Sequence, residues 1–500
     1  MHRATSGTAD AVVIGAGIGG LAAGIRLAVR GYRVTVFDRC AQPGGRAAVY
    51  SQDGFTFDAG PTMVSASHLL EELWSVAGRR LSDDVELKPL DPFYRVLFQG
   101  GDWLDLYGRD EALLAEVRRL SPADVDGAKR LMARQAEACR VAFQQLGEKP
   151  FASMADLARL LPSLVRLQSP RSLQSLVAAH VRDPRLRAAF ALHPLFIGAS
   201  PARVPALYAL LFHLERKWGV QYVSGGTGRL VEAMVDLFDA LGGRVRLSEP
   251  VEEILVVDGV AKGVRLQGGR TVRADIVVSN VGPFATYRRL LAPVHRRTWT
   301  NRRLNRLRHS MGVFVWHFGT RVRYPHVRHH SVMIPERFDA FLGDTFERGM
   351  LSQDPFLYVT RPTATDPYRA PPGHDAFYAL APVPNMGAAI DWRTAAEPYR
   401  RVILRRLSGS LLPGFENEIV SSKIVTPLDF ATTFDAEKGA AFDLEASLFQ
   451  SGWFRPHNAS EDVRNLFLVG AGTHPGAGIP GVLTSARILD RIVPAPASFV

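Results

Sequence analysis

The sequence predicts an α/β fold: a parallel-sheet domain assembled from both ends of the chain, a mixed-sheet second domain and a helical subdomain. Three observations predict it. Residues 10–14 (DAVVI) and 33–37 (RVTVF) are short β-branched runs flanking an apolar stretch with helical spacing from Leu21 to Val29, which together make a βαβ unit. Strand-like runs return at 243–247, 251–257, 260–266 and 274–278, and again at 465–469, near the other end. Between about 109 and 220 the pattern is helical instead, with Leu, Ala and Arg at three- and four-residue spacing and Pro162, Pro170, Pro184 and Pro194 as punctuation. From about 310 to 385 the runs MGVFVWHF, DPFLYVT and DAFYALAPV read as strands, and a helix follows near 394–411.

A chain of 500 residues with 47% hydrophobic content is large enough for two to three domains with cores of their own. Its two cysteines, Cys40 and Cys139, form neither a disulfide framework nor a zinc or Cys-x-x-Cys spacing, which suits a reducing cytoplasm. The opening MHRATSGTAD lacks the pattern of a signal peptide. The uncharged stretch 465–486 is long enough for a span, but Pro475, Pro480 and five glycines make it a loop. The net charge of +11 comes mainly from Arg spread through the whole chain; with no basic arm or ribonucleoprotein motif, no nucleic-acid partner is expected. The His-rich patch at 326–330 has no Cys or carboxylate at ligand spacing, so it is expected to be a solvated loop and no metal is expected.

GAGIGG at 15–20 follows a strand and opens a helix, as a Rossmann-type nucleotide loop does. Gly15 suits the tight turn, Gly17 lets the backbone approach a pyrophosphate, and Gly20 lets the helix pack on the strand. Asp38 ends the second strand, where a carboxylate accepts hydrogen bonds from a ribose. The continuation separates FAD from NAD. PGGRA at 43–47 brings paired glycines beside Arg46, and Gly60-Pro61 in FTFDAGP suits close passage beside a flat ring. Near the other end, VGAGTHPGAGIPGV delivers Gly472 and then a helix starting near Pro480 and Gly481, whose dipole stabilises an anionic reduced flavin.

These motifs, together with DPFYRV, LHPLFIG, ERKWGVQYVSGGTGRLVEAM, QSGWFRPHN and THPGAGIPG, resemble the bacterial and fungal phytoene desaturase family within the flavin amine-oxidase-like group, nearly end to end. The resemblance implies a discontinuous FAD-binding domain at 1–70, 222–300 and 425–500, a substrate domain at 71–108 and 301–424, and a helical, membrane-facing subdomain at 109–221. It implies FAD contacts at Gly15, Gly17, Gly20, Asp38, Arg39, Gly44, Gly45, Arg46, Gly60, Pro61, Val251, Gly472 and Gly481, with Val251 near the adenine. The sequence departs from the family at GASP (198–201), at Asn385 and at LTSA (483–486), which bears on substrate and step number.

The implied chemistry is desaturation of phytoene to neurosporene or lycopene by successive hydride transfers to flavin N5. Asp156 and Arg159 are the candidates for the accompanying proton transfer; the same pair also reads as an ordinary ion pair on a helix surface. A hydrocarbon without a polar handle calls for an apolar tunnel. Segments 154–168 and 204–218 interleave Leu with Arg, as a helix lying in a bilayer surface would, so a peripheral membrane position is expected. Quinone or oxygen is the expected electron acceptor. The competing readings are another carotenoid oxidoreductase (hydroxycarotenoid desaturase, isomerase or saturase), a non-enzymatic prenyl-binding escort protein, and an amine oxidase.

Overall fold

The computed structural model describes residues 9–142 and 171–499. Five strands, Arg244–Arg246, Arg33–Phe37, Asp10–Ile14, Ile276–Ser279 and Leu466–Leu468, lie side by side in that order, every pair parallel. Their apolar residues sort by the two-residue period of a strand. Val13, Val34, Val36 and Val278 pack under the helices Ile18–Val29, Thr227–Ala240 and Ile479–Ile492. Val12, Ile14, Phe37 and Val277 face the other way, onto Trp299, Tyr287 and the antiparallel sheet of Val251–Val257, Val260–Leu266 and Thr271–Arg273. Both faces are thus covered, as a parallel sheet requires.

The first and last helices lie against each other. Arg26 donates to Asp490 at 2.6 Å, and Arg30 caps the C-terminal helix by donating to the carbonyls of Leu489 at 3.0 Å and Val493 at 2.7 Å. A buried guanidinium paired in this way fixes the register of the two chain ends.

The second sheet has seven strands in the order Ile419–Val425, Gly312–Thr320, Asp375–Val383, Leu357–Thr360, His330–Met333, Tyr94–Leu97 and Trp103–Leu106. Only the pair His330–Met333 with Tyr94–Leu97 is parallel. Alternation again divides the strand at 312–320. Phe314, Trp316 and Phe318 pack under the helix Trp392–Ser408, whereas Val313 and Val315 join the core shared with the helical region. In that region the helices Asp110–Leu120, Val125–Cys139, Leu173–Ala178, Pro184–Ala191 and Leu210–Trp218 are described.

Two expectations are corrected. The patch at 326–330 is a solvated loop only in part: His326 is exposed in a turn, whereas His329 and His330 are buried because the chain enters an interior strand there. His330 Nδ1 donates to the Phe93 carbonyl at 3.1 Å and His329 Nδ1 meets Thr365 Oγ1 at 2.6 Å. The apolar face of 204–218, expected to face outward, is turned inward. Val204, Ala206, Ala209, Phe212 and Leu214 are core residues, and Leu207, Leu210 and Leu211 line a cavity. The Leu–Arg interleaving there separates a buried face from the polar residues at its edge. The companion segment 154–168 lies outside the described residues, as do Asp156 and Arg159.

Candidate functional site

The strand Asp10–Ile14 delivers the glycine loop, and hydrogen bonds fix its path. Gly15, at φ +98°, donates its N–H to the Phe37 carbonyl at 2.7 Å. Asp38 accepts the N–H of Ala16 at 2.6 Å and that of Cys40 at 2.7 Å, so one carboxylate ties the loop to the end of the second strand. The Gly44 N–H then donates to the Ala16 carbonyl at 2.8 Å, laying the second glycine loop on the first.

Close backbone approach explains four of the glycines. A Cβ on Gly20 would stand 2.0 Å from the Gly15 carbonyl oxygen, on Gly60 2.1 Å from that of Arg46, on Gly472 2.2 Å from Pro283 and on Gly481 2.3 Å from the Gly476 carbonyl oxygen. No side chain fits at such distances. Asn280, unmarked by sequence reasoning, braces the same turn: its Nδ2 donates to the Gly15 carbonyl at 3.3 Å, and its Oδ1 stands 2.7 Å from where a Gly470 Cβ would be.

These loops border a cavity of about 600 Å³. Gly15, Gly17, Asp38, Arg39, Gly44, Gly45, Arg46, Gly60, Pro61, Val251 and Gly481 line it. Gly20 and Gly472 do not; Gly20 lets its helix close on the Gly15 carbonyl, and Gly472 makes room for the Pro283 ring. Arg39 reaches Asp435 at 3.4 Å, and Arg46 donates to both oxygens of Asp443 at 3.1 and 3.2 Å. Asp443, in a stretch with no recognisable signature, is therefore a site residue that the sequence reading missed.

The residues present fit a flavin nucleotide. The cradle is Cβ-free over successive glycines, and the helix Ile18–Val29 begins at Gly17 without a side-chain cap or an acidic residue in its first turn, leaving N–H groups for a diphosphate. The helix Ile479–Ile492 likewise starts at Gly478 without a side-chain cap. Within that helix Thr484, 2% exposed, is a cavity-lining residue whose buried hydroxyl has no partner, an orphaned polar atom of the kind a bound group satisfies.

The cavity continues past Pro61 between apolar and aromatic side chains, among them Phe196, Leu207, Leu211, Tyr358, Tyr378 and Leu380. Polar groups here are few, and several are held by one another. Thr62 Oγ1 and the Tyr358 hydroxyl meet at 2.8 Å, and Glu215 accepts from the Tyr94 hydroxyl at 2.9 Å while its second oxygen meets His193 Nε2 at 3.2 Å. Burial raises the phenols of Tyr358, Tyr378 and Tyr94 and keeps them neutral. His193 and Glu215 lie within motifs that carried the family resemblance, but nothing in their spacing marked them as partners. Asn385, a departure from the family, is tied locally: it donates to the Ser310 carbonyl at 2.8 Å and accepts the Gly387 N–H at 2.9 Å. Among the described residues no three His, Cys, Asp or Glu side chains converge as metal ligands would.

Residues 18–488 match the model of the flavin containing amine oxidoreductase family. The neurosporene-forming phytoene desaturase of Rhodobacter capsulatus is 43% identical over 99% of this chain and 95% of its own. The lycopene-forming phytoene desaturase of Pseudescherichia vulneris is 42% identical over 95% of this chain and 97% of its own. Among solved structures, wild-type putrescine oxidase bound to putrescine superposes with a TM-score of 0.64 at 18% identity, covering 98% of this chain and 99% of its own. A Rab GDI from Plasmodium falciparum reaches 0.56 at 11% identity, covering 97% of this chain and 98% of its own. These structural likenesses are likenesses of fold, which oxidase and GDI share; the sequence identities separate them. With glycine loops that fit a flavin and relatives above 40% identity along almost the whole chain, the protein belongs to the flavin containing amine oxidoreductase family, in its phytoene desaturase branch.

Proposed function

We propose that this chain desaturates phytoene to neurosporene, lycopene or both, with FAD held on the glycine loops and the polyene in the apolar arm of the same cavity. The observation that carries this reading is the continuity of the cavity. The residues that cradle a flavin nucleotide open without a break onto a wall of Leu, Phe and Tyr with few polar groups, among them the paired Thr62–Tyr358 and Tyr94–Glu215. FAD, when bound, supplies a hydride acceptor at N5. The protein's part is to exclude water and to hold one carbon–carbon bond of a featureless chain opposite that acceptor, by depth of insertion.

The chain collects its substrate as a peripheral protein at a membrane surface. Among the described residues no helix is long and apolar enough to cross a membrane. Beside the cavity-lining Ser451 and Gly452, the loop 448–454 exposes Leu448, Phe449 (72% exposed) and Phe454, an apolar tip suited to a bilayer interface. A quinone in the same bilayer, or oxygen, reoxidises the flavin.

The test is incubation of FAD-loaded protein with phytoene in liposomes, with and without a quinone, followed by extraction and visible spectroscopy. Appearance of neurosporene or lycopene is expected. Bound flavin with unchanged phytoene and altered hydroxycarotenoid or lycopene would transfer the chain to another carotenoid reaction.

A further inference from the structure

Desaturation removes a hydride from one carbon and a proton from its neighbour, and the apolar arm contains one pair of side chains built to receive a proton. We propose that His193, held by Glu215, is the base. This rests on the desaturase reading above.

His193 is 2% exposed and lines the cavity. Its Nε2 lies 3.2 Å from Glu215 Oε2, which assigns the ring proton to Nε2 and leaves the lone pair on Nδ1. Nδ1 is buried and has no hydrogen-bond partner. A buried nitrogen lone pair without a partner, in a ring that lines a hydrocarbon cavity, is costly unless the site uses it. Glu215 is held in turn by the Tyr94 hydroxyl on its other oxygen at 2.9 Å, so base and orienting carboxylate form a relay with fixed geometry.

The surroundings suit a cationic step. Phe212 stands 4.7 Å from the His193 ring, Phe196 5.9 Å and Tyr94 6.4 Å, all centroid to centroid. Phe196 lies 5.2 Å from Tyr358, whose hydroxyl meets Thr62 directly after the Gly60-Pro61 turn, so one aromatic wall runs from the base to the flavin turn. The cavity-lining rings of Phe196 and Tyr358 favour positive charge on the polyene, and Glu215 stabilises the imidazolium that follows. Other titratable or charged groups near the dyad are Tyr358, His330 stacked on Tyr94 at 5.5 Å, and Arg216 over Phe212 at 5.7 Å.

The step balances. One C–H bond breaks and its electron pair leaves as hydride to the flavin, which is reduced. The adjacent C–H bond breaks, its proton goes to Nδ1 and its electrons close the new C=C. The imidazolium releases the proton to water as the quinone or oxygen takes up the electrons.

The experiment compares wild type, His193→Gln and Glu215→Gln as FAD-loaded proteins. Three readouts are taken: FAD affinity, pH dependence of phytoene turnover, and pH dependence of the absorption maximum of bound neurosporene. In His193→Gln, FAD affinity within twofold of wild type is expected, with turnover lower by about 100-fold or more. Its acid limb is lost, added imidazole restores part of the rate, and the bound polyene no longer shifts its absorption with pH. If His193→Gln fails to bind FAD, Glu215→Gln carries the test, with turnover expected to fall about tenfold or more because the carboxylate that orients the ring is gone, and Glu215→Asp expected to restore part of it. Wild-type rate and pH profile in a folded variant overturn the proposal alone; FAD-loaded wild type that leaves phytoene unchanged overturns the desaturase reading and this proposal with it.

Discussion

Gly60→Ala tests whether the glycines of the cradle are required by packing or only by a flexible turn. An added Cβ would stand 2.1 Å from the Arg46 carbonyl oxygen, against an ordinary contact of 3.4 Å or more. The backbone must therefore open by about 1.3 Å, the difference of those two distances. The obstacle is main chain, with no side-chain end to swing aside, and it belongs to the short turn Gly45–Ala47 whose first two residues line the cavity. Overpacking of this kind costs about 1–3 kcal/mol. If the displacement falls on the flavin side, about 3 kcal/mol weakens FAD binding by roughly 100-fold. Gly31→Ala is the control. Its φ of +92° is strained for alanine, yet a Cβ there meets nothing within 4 Å. It is expected to lower stability by about 1–2 kcal/mol with FAD affinity unchanged. The assay is flavin-fluorescence titration of apoprotein alongside denaturant unfolding. Gly60→Ala with wild-type affinity and stability would refute the packing argument.

Asp38→Ala removes the acceptor of two backbone N–H groups and should cost about 2–4 kcal/mol in urea unfolding as well as weakening FAD, with Asp38→Asn retaining part of both. Arg46→Ala leaves the Asp443 carboxylate without its partner beside the diphosphate path, so FAD affinity should fall about tenfold or more; the double variant with Asp443→Asn should recover part of it, and strict additivity would count against the pair. Burial lowers His330 from 6.5 to about 4 and His317 from 6.5 to about 3. Between those values the unfolded chain binds more protons, so stability is complete above pH 6.5 and is lost as pH falls. Each histidine contributes a slope of up to about 1.4 kcal/mol per pH unit. Denaturant midpoints at pH 7.5, 6.0 and 5.0 should decline, less so in His330→Gln, and a flat series would show that neither ring titrates on unfolding.

The Rossmann-type half was legible because its chemistry is local. A βαβ unit, a glycine loop and a carboxylate twenty residues on are enforced within one stretch of chain, and the uninterrupted apolar strands announce a sheet covered on both faces. Fold class and cofactor followed from those residues. What escaped depends on tertiary pairing. Asp443 reaches Arg46 across nearly 400 residues, and His193 meets Glu215 only because two helical segments close over the strand at Tyr94. Amphipathic spacing at 204–218 was visible, but spacing does not say whether an apolar face meets lipid or a cavity. The buried histidines at 329 and 330 read as polar until the strand beneath them was seen to be interior.

The pairing of the chain's two ends in one sheet sets a timetable for synthesis. Strand Leu466–Leu468 is the neighbour of Ile276–Ser279, and the helix after it carries the cavity-lining turn at Gly478 and the Asp490 partner of the buried Arg26. A ribosome that has made the first 460 residues has made the glycine loop but neither that strand nor that turn. The nascent protein therefore has half a nucleotide cradle until that strand and that turn have been made, and flavin capture follows that point instead of guiding the early stages of folding.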